Sequence, residues 1–194
     1  MELVFDLDGV LLDSERRLDW LEHALSETLA TFDLPDTAAN RARIGPGQLH
    51  RFRRTAREFG VDPAAFWRVR NRRYTAAKLA GMDRRDIGPF PDVPLLGCLA
   101  EDHSVSILSN SPQEVVDAFV ADLEGVIPFR TGIGRGSDLE DLASLKPHPH
   151  MAERLRAATH ENTFCYVGDQ ESDRAFAANA GMEYVHLVDR KSVV

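Results

Sequence analysis

The sequence predicts an α/β fold, in which a Rossmann-like parallel sheet carries helices on both faces and a small helical cap is inserted once. Short apolar runs that stop at polar residues or glycine are typical of buried strands. Four strong runs and one weaker run have this form: residues 2–5, 105–108, 163–167, 184–188 and, more weakly, 129–133. Helix-period patterns lie between them, and strands that alternate with helices form parallel sheets.

The helices follow from apolar positions repeated at helical spacing. In the predicted core they cover residues 93–101, 112–123, 147–159 and 171–179. Three more helical stretches, residues 15–32, 47–59 and 63–82, follow one another without an intervening strand. We therefore expect a cap over residues 15–88, inserted in a core formed by residues 1–14 and 89–194. The segment Gly88-Pro89-Phe90-Pro91 marks the return to the core, because proline and glycine end helices.

Length and composition predict one core with a modest insertion. A chain of 194 residues, 43% of them hydrophobic, buries a sizeable core and lacks the apolar depletion of disordered proteins. The first residues form no basic, apolar leader, and no run approaches the roughly 20 apolar residues that span a membrane. We therefore expect a cytoplasmic protein without a membrane partner. Cys98 and Cys165 are expected to be free thiols.

Charge is distributed unevenly along the chain. Residues 41–85 contain thirteen lysines and arginines against three acids, Glu58, Asp62 and Asp83, although the whole chain has a net charge of −8. This basic stretch is either a surface that attracts an anionic substrate or a set of solvated helix faces. The acidic overall charge and the lack of a recognisable nucleic-acid motif argue against a nucleic-acid partner.

Polar segments follow the predicted strands, where the functional crevice of an open parallel sheet lies. These segments are Asp6-Leu7-Asp8-Gly9, Ser109-Asn110, Lys146-Pro147, and Gly168-Asp169 followed by Asp173. If the four aspartates approach one another, their mutual repulsion requires a cation among them. Carboxylate oxygens together with a phosphoryl substrate favour Mg²⁺. The Lys146 ammonium and the Ser109 hydroxyl would then bind the oxygens of a transferring phosphoryl group.

The four segments, in this order and spacing, resemble the signature motifs of the haloacid dehalogenase superfamily, and the chain is similar to its phosphoglycolate phosphatase-like branch. The similarity covers nearly the whole core, whereas the cap matches only in position and helical character. It implies a magnesium-dependent phosphatase that hydrolyses a small phosphorylated metabolite, a phosphate monoester, through an aspartyl-phosphate.

Residue roles also follow from the resemblance. Asp6 would be the nucleophile, and Asp8 the general acid and base that also lends its backbone carbonyl to the metal. With Ser109 and Lys146 these two acids would form the catalytic set. The implied metal site comprises Asp6, Asp8, Asp169 and Asp173, and the implied phosphate site comprises Ser109, Asn110 and Lys146.

Three other functions remain compatible with the sequence. A phosphosugar mutase of the same superfamily would use the same motifs but transfer the phosphoryl group to a second sugar hydroxyl. A non-catalytic module would bind a polyanion through the basic cap. A phospho-accepting signalling domain also clusters acids, a hydroxyl and a lysine, but such domains usually carry the acceptor on a middle strand of the sequence, whereas Asp6 follows the first.

Overall fold

A five-stranded parallel sheet forms the centre of the structure, a computed structural model that describes residues 1–45 and 47–188. Its spatial order is β3-β2-β1-β4-β5, and every neighbouring pair is parallel. The strands are β1 (Glu2–Phe5), β2 (Ser104–Pro112), β3 (Phe129–Arg135), β4 (Phe164–Gly168) and β5 (Glu183–His186). The predicted α/β class and parallel sheet are therefore confirmed. Asp189, which follows the last predicted strand, lies outside the described residues.

The order of the strands places a crevice beside β1. The chain runs outward from β1 through β2 to β3, and then returns to the other side of β1 for β4 and β5. At such a reversal the connections leave the carboxyl ends of neighbouring strands in opposite directions, which opens a crevice there. Strand β2 is longer than predicted and loses its regular register between Leu108 and Pro112. The polar residues that were expected to follow β2 therefore lie in its irregular last section.

Eight helices complete the described secondary structure, together with two 3₁₀ turns, Val93–Leu95 and Leu139–Ser144. The predicted helix over residues 93–101 is only a 3₁₀ turn and one helical turn, since Pro94 and Gly97 both disfavour a longer helix. The helices are α1 (Asp19–Thr31), α2 (Ala38–Arg43), α3 (Leu49–Glu58), α4 (Pro63–Asp83), α5 (Leu96–Leu99), α6 (Gln113–Asp122), α7 (His150–Thr159) and α8 (Glu171–Ala180).

Helices cover both faces of the sheet, as neighbouring residues of β3 show. Ile133 packs in one apolar cluster with Leu155 of α7 and Phe176 of α8. A β carbon at the preceding residue, Gly132, would lie 2.8 Å from Val116 of α6. Because consecutive strand residues point to opposite faces, α6 lies on one face, and α7 and α8 lie on the other.

The chain divides into two compact units. One contains the sheet and comprises residues 1–16, 87–135 and the described chain from Ser144; the other comprises Arg17–Asp86 and Gly136–Ala143. In the second unit, Phe66 of α4 is the centre of an aromatic core, with ring centroids of Phe32, Phe52 and Phe59 at 5.0, 5.5 and 6.1 Å. Helix α4 begins where the Asp62 side chain accepts a hydrogen bond from the Ala65 N–H at 2.8 Å.

The segment Gly136–Ala143 joins the helical unit although it is distant in sequence. The Trp67 indole N–H donates to the Ser137 carbonyl at 2.9 Å, and Arg53 forms an ion pair with Glu140. From the sequence, the inserted helical cap is predicted to cover residues 15–88 alone. The extra segment is short, and its two leucines, Leu139 and Leu142, are too few to predict that it packs with the helical unit.

Both cysteines are free thiols, as predicted: Cys98 is exposed and Cys165 is buried in β4. Among the described residues, no helix has the length and apolar character needed to cross a membrane.

Candidate active site

Three carboxylates from two segments of the chain meet at the carboxyl ends of β1 and β4. Asp6 follows β1, Asp169 follows β4, and Asp173 lies in the first turn of α8. One oxygen of each lies within 4.8 Å of the others, and Asp6 and Asp173 are buried. The sheet brings the first two together, because the Asp6 N–H continues the parallel ladder to the Val167 carbonyl at 2.9 Å.

Gly9 leaves the space that Asp169 occupies. Its φ of +79° lies in the left-handed region, which glycine adopts without strain. A β carbon at Gly9 would lie 2.5 Å from the Asp169 Oδ2 atom. The turn after β1 therefore needs glycine for two reasons, its backbone conformation and the close approach of a carboxylate.

Lys146 joins two of the three carboxylates. Its Nζ atom lies 2.9 Å from Asp6 Oδ1 and 2.7 Å from Asp173 Oδ1, and it donates to the Tyr166 hydroxyl at 2.6 Å. The lysine side chain is only 3% exposed. The second oxygen of Asp173 accepts a hydrogen bond from the Gln170 N–H at 3.2 Å. Both oxygens of Asp173 are thus engaged by protein donors.

Burial dominates the electrostatics of this cluster. It raises the pKa of Asp6 from 3.8 to about 6, although Lys146 acts in the opposite direction. Burial also disfavours the Lys146 ammonium, but the charges of Asp6 and Asp173 outweigh it, so the pKa of Lys146 is raised. Lys146 is therefore an ammonium at neutral pH, whereas Asp6 carries a negative charge that one lysine does not fully stabilise.

The Asp8 side chain is held by two serine hydroxyls. Ser14 donates to its Oδ1 atom at 2.5 Å, and Ser111 donates to its Oδ2 atom at 2.6 Å. Asp8 raises the pKa of Asp6, so the two carboxylates are close enough to repel each other. The side chain of Asp8 is not part of the group of three carboxylates found among the described residues. This arrangement suits a carboxyl that exchanges protons better than one that binds a cation.

Ser109 and Asn110 lie at the end of β2 beside this site. The Ser109 Oγ atom accepts a hydrogen bond from the Ser111 N–H at 3.1 Å, which leaves the Ser109 hydroxyl proton for another acceptor. The Asn110 amide accepts from the Lys146 N–H at 2.9 Å and donates to the Lys146 carbonyl at 3.3 Å. The side chain of Asn110 therefore fixes the backbone that carries Lys146, and its predicted role in binding phosphate stays a prediction.

The donor set fits a hard divalent cation. Lys146 forms ion pairs with Asp6 and Asp173, and Asp169 lies beside them, so the three carboxylates outnumber the ammonium that contacts the cluster. Asp6, Asp169 and Asp173 offer oxygen atoms only, the ligand type that Mg²⁺ and Ca²⁺ prefer. Burial raises the pKa of Asp6 and the nearby Asp173 and Asp8 raise it further, so a bound cation would stabilise the ionised carboxylate.

Comparison with known proteins assigns the chain to a family. Residues 3–181 match the haloacid dehalogenase-like hydrolases. The chain belongs to this family. A phosphoglycolate phosphatase of Rhodobacter capsulatus is 26% identical over 191 residues, which cover 94% of this chain and 82% of the relative. The chain is accordingly an enzyme, a haloacid dehalogenase-like hydrolase.

Solved structures of other proteins share the fold. CbbY of Rhodobacter sphaeroides, in complex with phosphate, superposes with a TM-score of 0.67 at 18% identity, covering 96% of this chain and 85% of that one. A hydrolase of Pseudomonas syringae superposes with a TM-score of 0.64 at 17% identity, covering 97% and 84%. At these identities the likeness concerns the fold alone.

Three further residues of this haloacid dehalogenase-like hydrolase lie in the site and were not predicted from the sequence. They are Ser14 and Ser111, which hold Asp8, and Tyr166, which contacts Lys146. A sequence signal existed for two of them. Ser111 stands two residues after Ser109, and Tyr166 interrupts an otherwise apolar strand two residues before Gly168.

Proposed function

We propose that this chain is a magnesium-dependent phosphatase that hydrolyses a small phosphate monoester through an aspartyl-phosphate on Asp6. One observation carries the proposal: Asp6 lies beside Asp169 and Asp173 and 2.9 Å from the Lys146 ammonium. A carboxylate nucleophile must stay ionised until it attacks phosphorus, and positive charge beside it favours the ionised form. The oxygens of a transferring phosphoryl group also need cations around them. Lys146 supplies positive charge for both purposes, and Asp6, Asp169 and Asp173 could bind a cation that adds to it.

Asp6 is the nucleophile in this proposal. Its Oδ1 atom accepts hydrogen bonds from the Leu7 N–H at 2.8 Å and from Lys146, which fixes the orientation of the carboxylate. Attack on phosphorus forms the acyl phosphate and breaks the bond to the departing alcohol. The Ser109 hydroxyl and the Lys146 ammonium bind the peripheral oxygens of the transferring group, where negative charge accumulates.

Asp8 exchanges the protons. It protonates the departing alcohol oxygen and then removes a proton from the water that hydrolyses the acyl phosphate. Ser14 and Ser111 orient its carboxyl through one hydrogen bond to each oxygen. A fixed orientation matters because proton transfer requires hydrogen-bond distance to the reacting oxygen.

Asp6, Asp169 and Asp173 would hold the magnesium ion, with Asp8 contributing its backbone carbonyl. When bound, the ion supplies charge that neutralises the carboxylates and the phosphoryl oxygens. Asp173 would bind through water, since Lys146 and Gln170 already occupy its two oxygens.

The substrate in this proposal is a small phosphorylated metabolite with a second anionic group. The relative from Rhodobacter capsulatus is a phosphoglycolate phosphatase, and CbbY has been solved with xylulose-(1,5)-bisphosphate. Several cap arginines are paired with cap acids, as in Arg41 with Asp36 and Arg73 with Glu27. Within the described residues, four exposed cap arginines have no carboxylate within 4.0 Å: Arg51, Arg57, Arg68 and Arg72. An arginine of this kind suits a carboxylate or a second phosphate.

Phosphate release from a panel of phosphate esters tests the reaction. We expect release that requires Mg²⁺ and is abolished by Asp6→Asn, with the phosphoryl group located on the Asp6 peptide by mass spectrometry after acid quench. Asp117→Asn is the matched control, because this exposed carboxylate lies on α6 and should leave the rate unchanged. Release that persists in Asp6→Asn, or in excess chelator, would contradict the proposal. Transfer of phosphate between hexose hydroxyls would instead indicate a mutase.

Single arginine-to-alanine variants test the substrate class. At least one of the four variants, Arg51→Ala, Arg57→Ala, Arg68→Ala or Arg72→Ala, should have a KM for 2-phosphoglycolate or a bisphosphate that is raised about tenfold or more. The reason is that it loses a charged hydrogen bond to the substrate. Arg41→Ala and Arg73→Ala are the controls, because their guanidinium groups are paired within the cap. Unchanged constants in all four variants would exclude this substrate recognition while leaving the hydrolysis proposal intact.

A further inference from the structure

We propose that Tyr166 is a positioning residue for Lys146, and that its buried hydroxyl holds the ammonium in place while the charges around it change. The proposal rests on the proposed function, in which Lys146 binds the transferring phosphoryl group. Its starting point is that the hydroxyl of Tyr166, a fully buried residue, lies 2.6 Å from Lys146 Nζ.

The contacts of Lys146 account for all of its donors. An ammonium has three N–H bonds. The three neighbours of Nζ are Asp6 at 2.9 Å, Asp173 at 2.7 Å and the Tyr166 hydroxyl at 2.6 Å. Each neighbour comes from a different element of the sheet unit, so together they determine the position of Nζ. Only the tyrosine contact involves a neutral partner.

The tyrosine hydroxyl is itself fixed in orientation. It donates to the Leu108 carbonyl of β2 at 3.0 Å, with Asp173 Oδ1 as a longer acceptor at 3.5 Å, and its oxygen accepts from Lys146 at 2.6 Å. The hydroxyl thus links β4, which carries Tyr166, to β2 immediately before Ser109. The two groups assigned to the phosphoryl oxygens, Ser109 and Lys146, are thereby connected through one side chain.

A hydrogen bond from Lys146 to an uncharged group is useful in this reaction because the charge of Asp6 changes. When Asp6 becomes an acyl phosphate, it loses the full negative charge that attracts Lys146. The hydrogen bond from Lys146 to Tyr166 does not depend on that charge. A phenol, whose ordinary pKa is about 10, is neutral at neutral pH.

Core packing alone does not explain the hydroxyl. The ring of Tyr166 packs edge-on against Phe176, with centroids 5.0 Å apart, and phenylalanine would make the same contact. A buried hydroxyl without partners is unfavourable, and here each of its partners belongs to the site or adjoins it. Tyr166→Phe therefore removes the proposed function of the residue and keeps its packing.

Kinetics in two backgrounds test the proposal. We expect Tyr166→Phe to lower kcat/KM about tenfold or more in the wild type, and less than about twofold in a Lys146→Met background, because the hydroxyl acts through the lysine. Thr159→Val is the matched control: it removes another fully buried hydroxyl, which donates to the Leu155 carbonyl within α7, and should cost less than about twofold. An equal loss from Tyr166→Phe in both backgrounds, or no loss in the wild type, would overturn the proposal.

A crystal structure of Tyr166→Phe, grown with Mg²⁺, gives a readout that does not depend on turnover. We expect the Lys146 ammonium to leave its place between Asp6 and Asp173, lengthening at least one of the two distances beyond 4 Å. An ammonium that keeps both short contacts would overturn the proposal. If the wild-type protein released no phosphate from any ester, the proposed function would fail, and this structure would still decide whether Tyr166 positions Lys146.

Discussion

Replacing Gly9 with alanine should separate a catalytic defect from a simple loss of stability. The φ of +79° at Gly9 is unfavourable for alanine by about 1–2 kcal/mol. The new β carbon would also lie 2.5 Å from Asp169 Oδ2, whereas ordinary contacts begin near 3.4 Å. The Asp169 carboxylate must then move by about 0.9 Å, the difference between the two distances. Displacements of about 1 Å at reacting groups cost on the order of 100-fold in rate.

Gly181→Ala is the control for the backbone term. Gly181 follows α8 with a φ of +65°, and no atom lies within 4 Å of the position its β carbon would take. Both variants should lose about 1–2 kcal/mol in urea unfolding monitored by circular dichroism. Only Gly9→Ala should also lose about 100-fold in kcat/KM and bind Mg²⁺ more weakly in calorimetry.

The refuting result for Gly9→Ala is equally specific. If its kcat/KM and Mg²⁺ affinity match those of Gly181→Ala, then Asp169 does not need the space beside Gly9, and its assignment to the metal site loses its geometric support. A loss of stability alone would show only that the left-handed backbone conformation at this position favours glycine over alanine.

Three further predictions follow from the site and its surroundings. In chelator at pH 8, Asp6→Asn should be more stable to urea than the wild type by about 3 kcal/mol, because the pKa of Asp6 is raised from 3.8 to about 6 and its protonation favours the folded state. This gain in the free energy of unfolding should vanish below about pH 4, where Asp6 is protonated in both states. Equal stability of the two proteins at pH 8 would contradict the prediction. Ser111→Ala should lower kcat about tenfold in steady-state assays by releasing one oxygen of Asp8, and an unchanged kcat would exclude this role. Iodoacetamide should label exposed Cys98 first, since burial raises the pKa of the Cys165 thiol; mass spectrometry that finds equal labelling would contradict this.

The sheet and the location of the site could be predicted because they depend on strong local signals. Residues 2–5 are apolar and end at Asp6, so they indicate both a buried strand and the place where its polar residues must lie. Because the carboxyl ends of parallel strands lie at one edge of the sheet, the sequence predicts that Asp6 and Asp169 lie at the same edge, whatever the order of the strands.

The contacts inside the site could not be predicted, because they depend on register across strands and on irregular backbone. Ser111 reaches Asp8 only because β2 loses its regular register after Leu108. No periodic pattern encodes such an irregularity. Tyr166 does stand out as a polar residue in an apolar strand, but a tyrosine there is also compatible with simple packing, and only the position of Lys146 gives its hydroxyl a role.

The two ends of the helical insertion are fixed within the sheet unit. The chain leaves and re-enters this unit through two segments that pair with each other: the Asp13 N–H donates to the Gly88 carbonyl at 2.9 Å, and the Phe90 N–H donates to the Leu11 carbonyl at 3.0 Å. These bonds fix both ends of the insertion next to the turn that carries Asp8. The inserted residues can therefore change without moving the nucleophile, since the length and sequence between two fixed ends are weakly constrained.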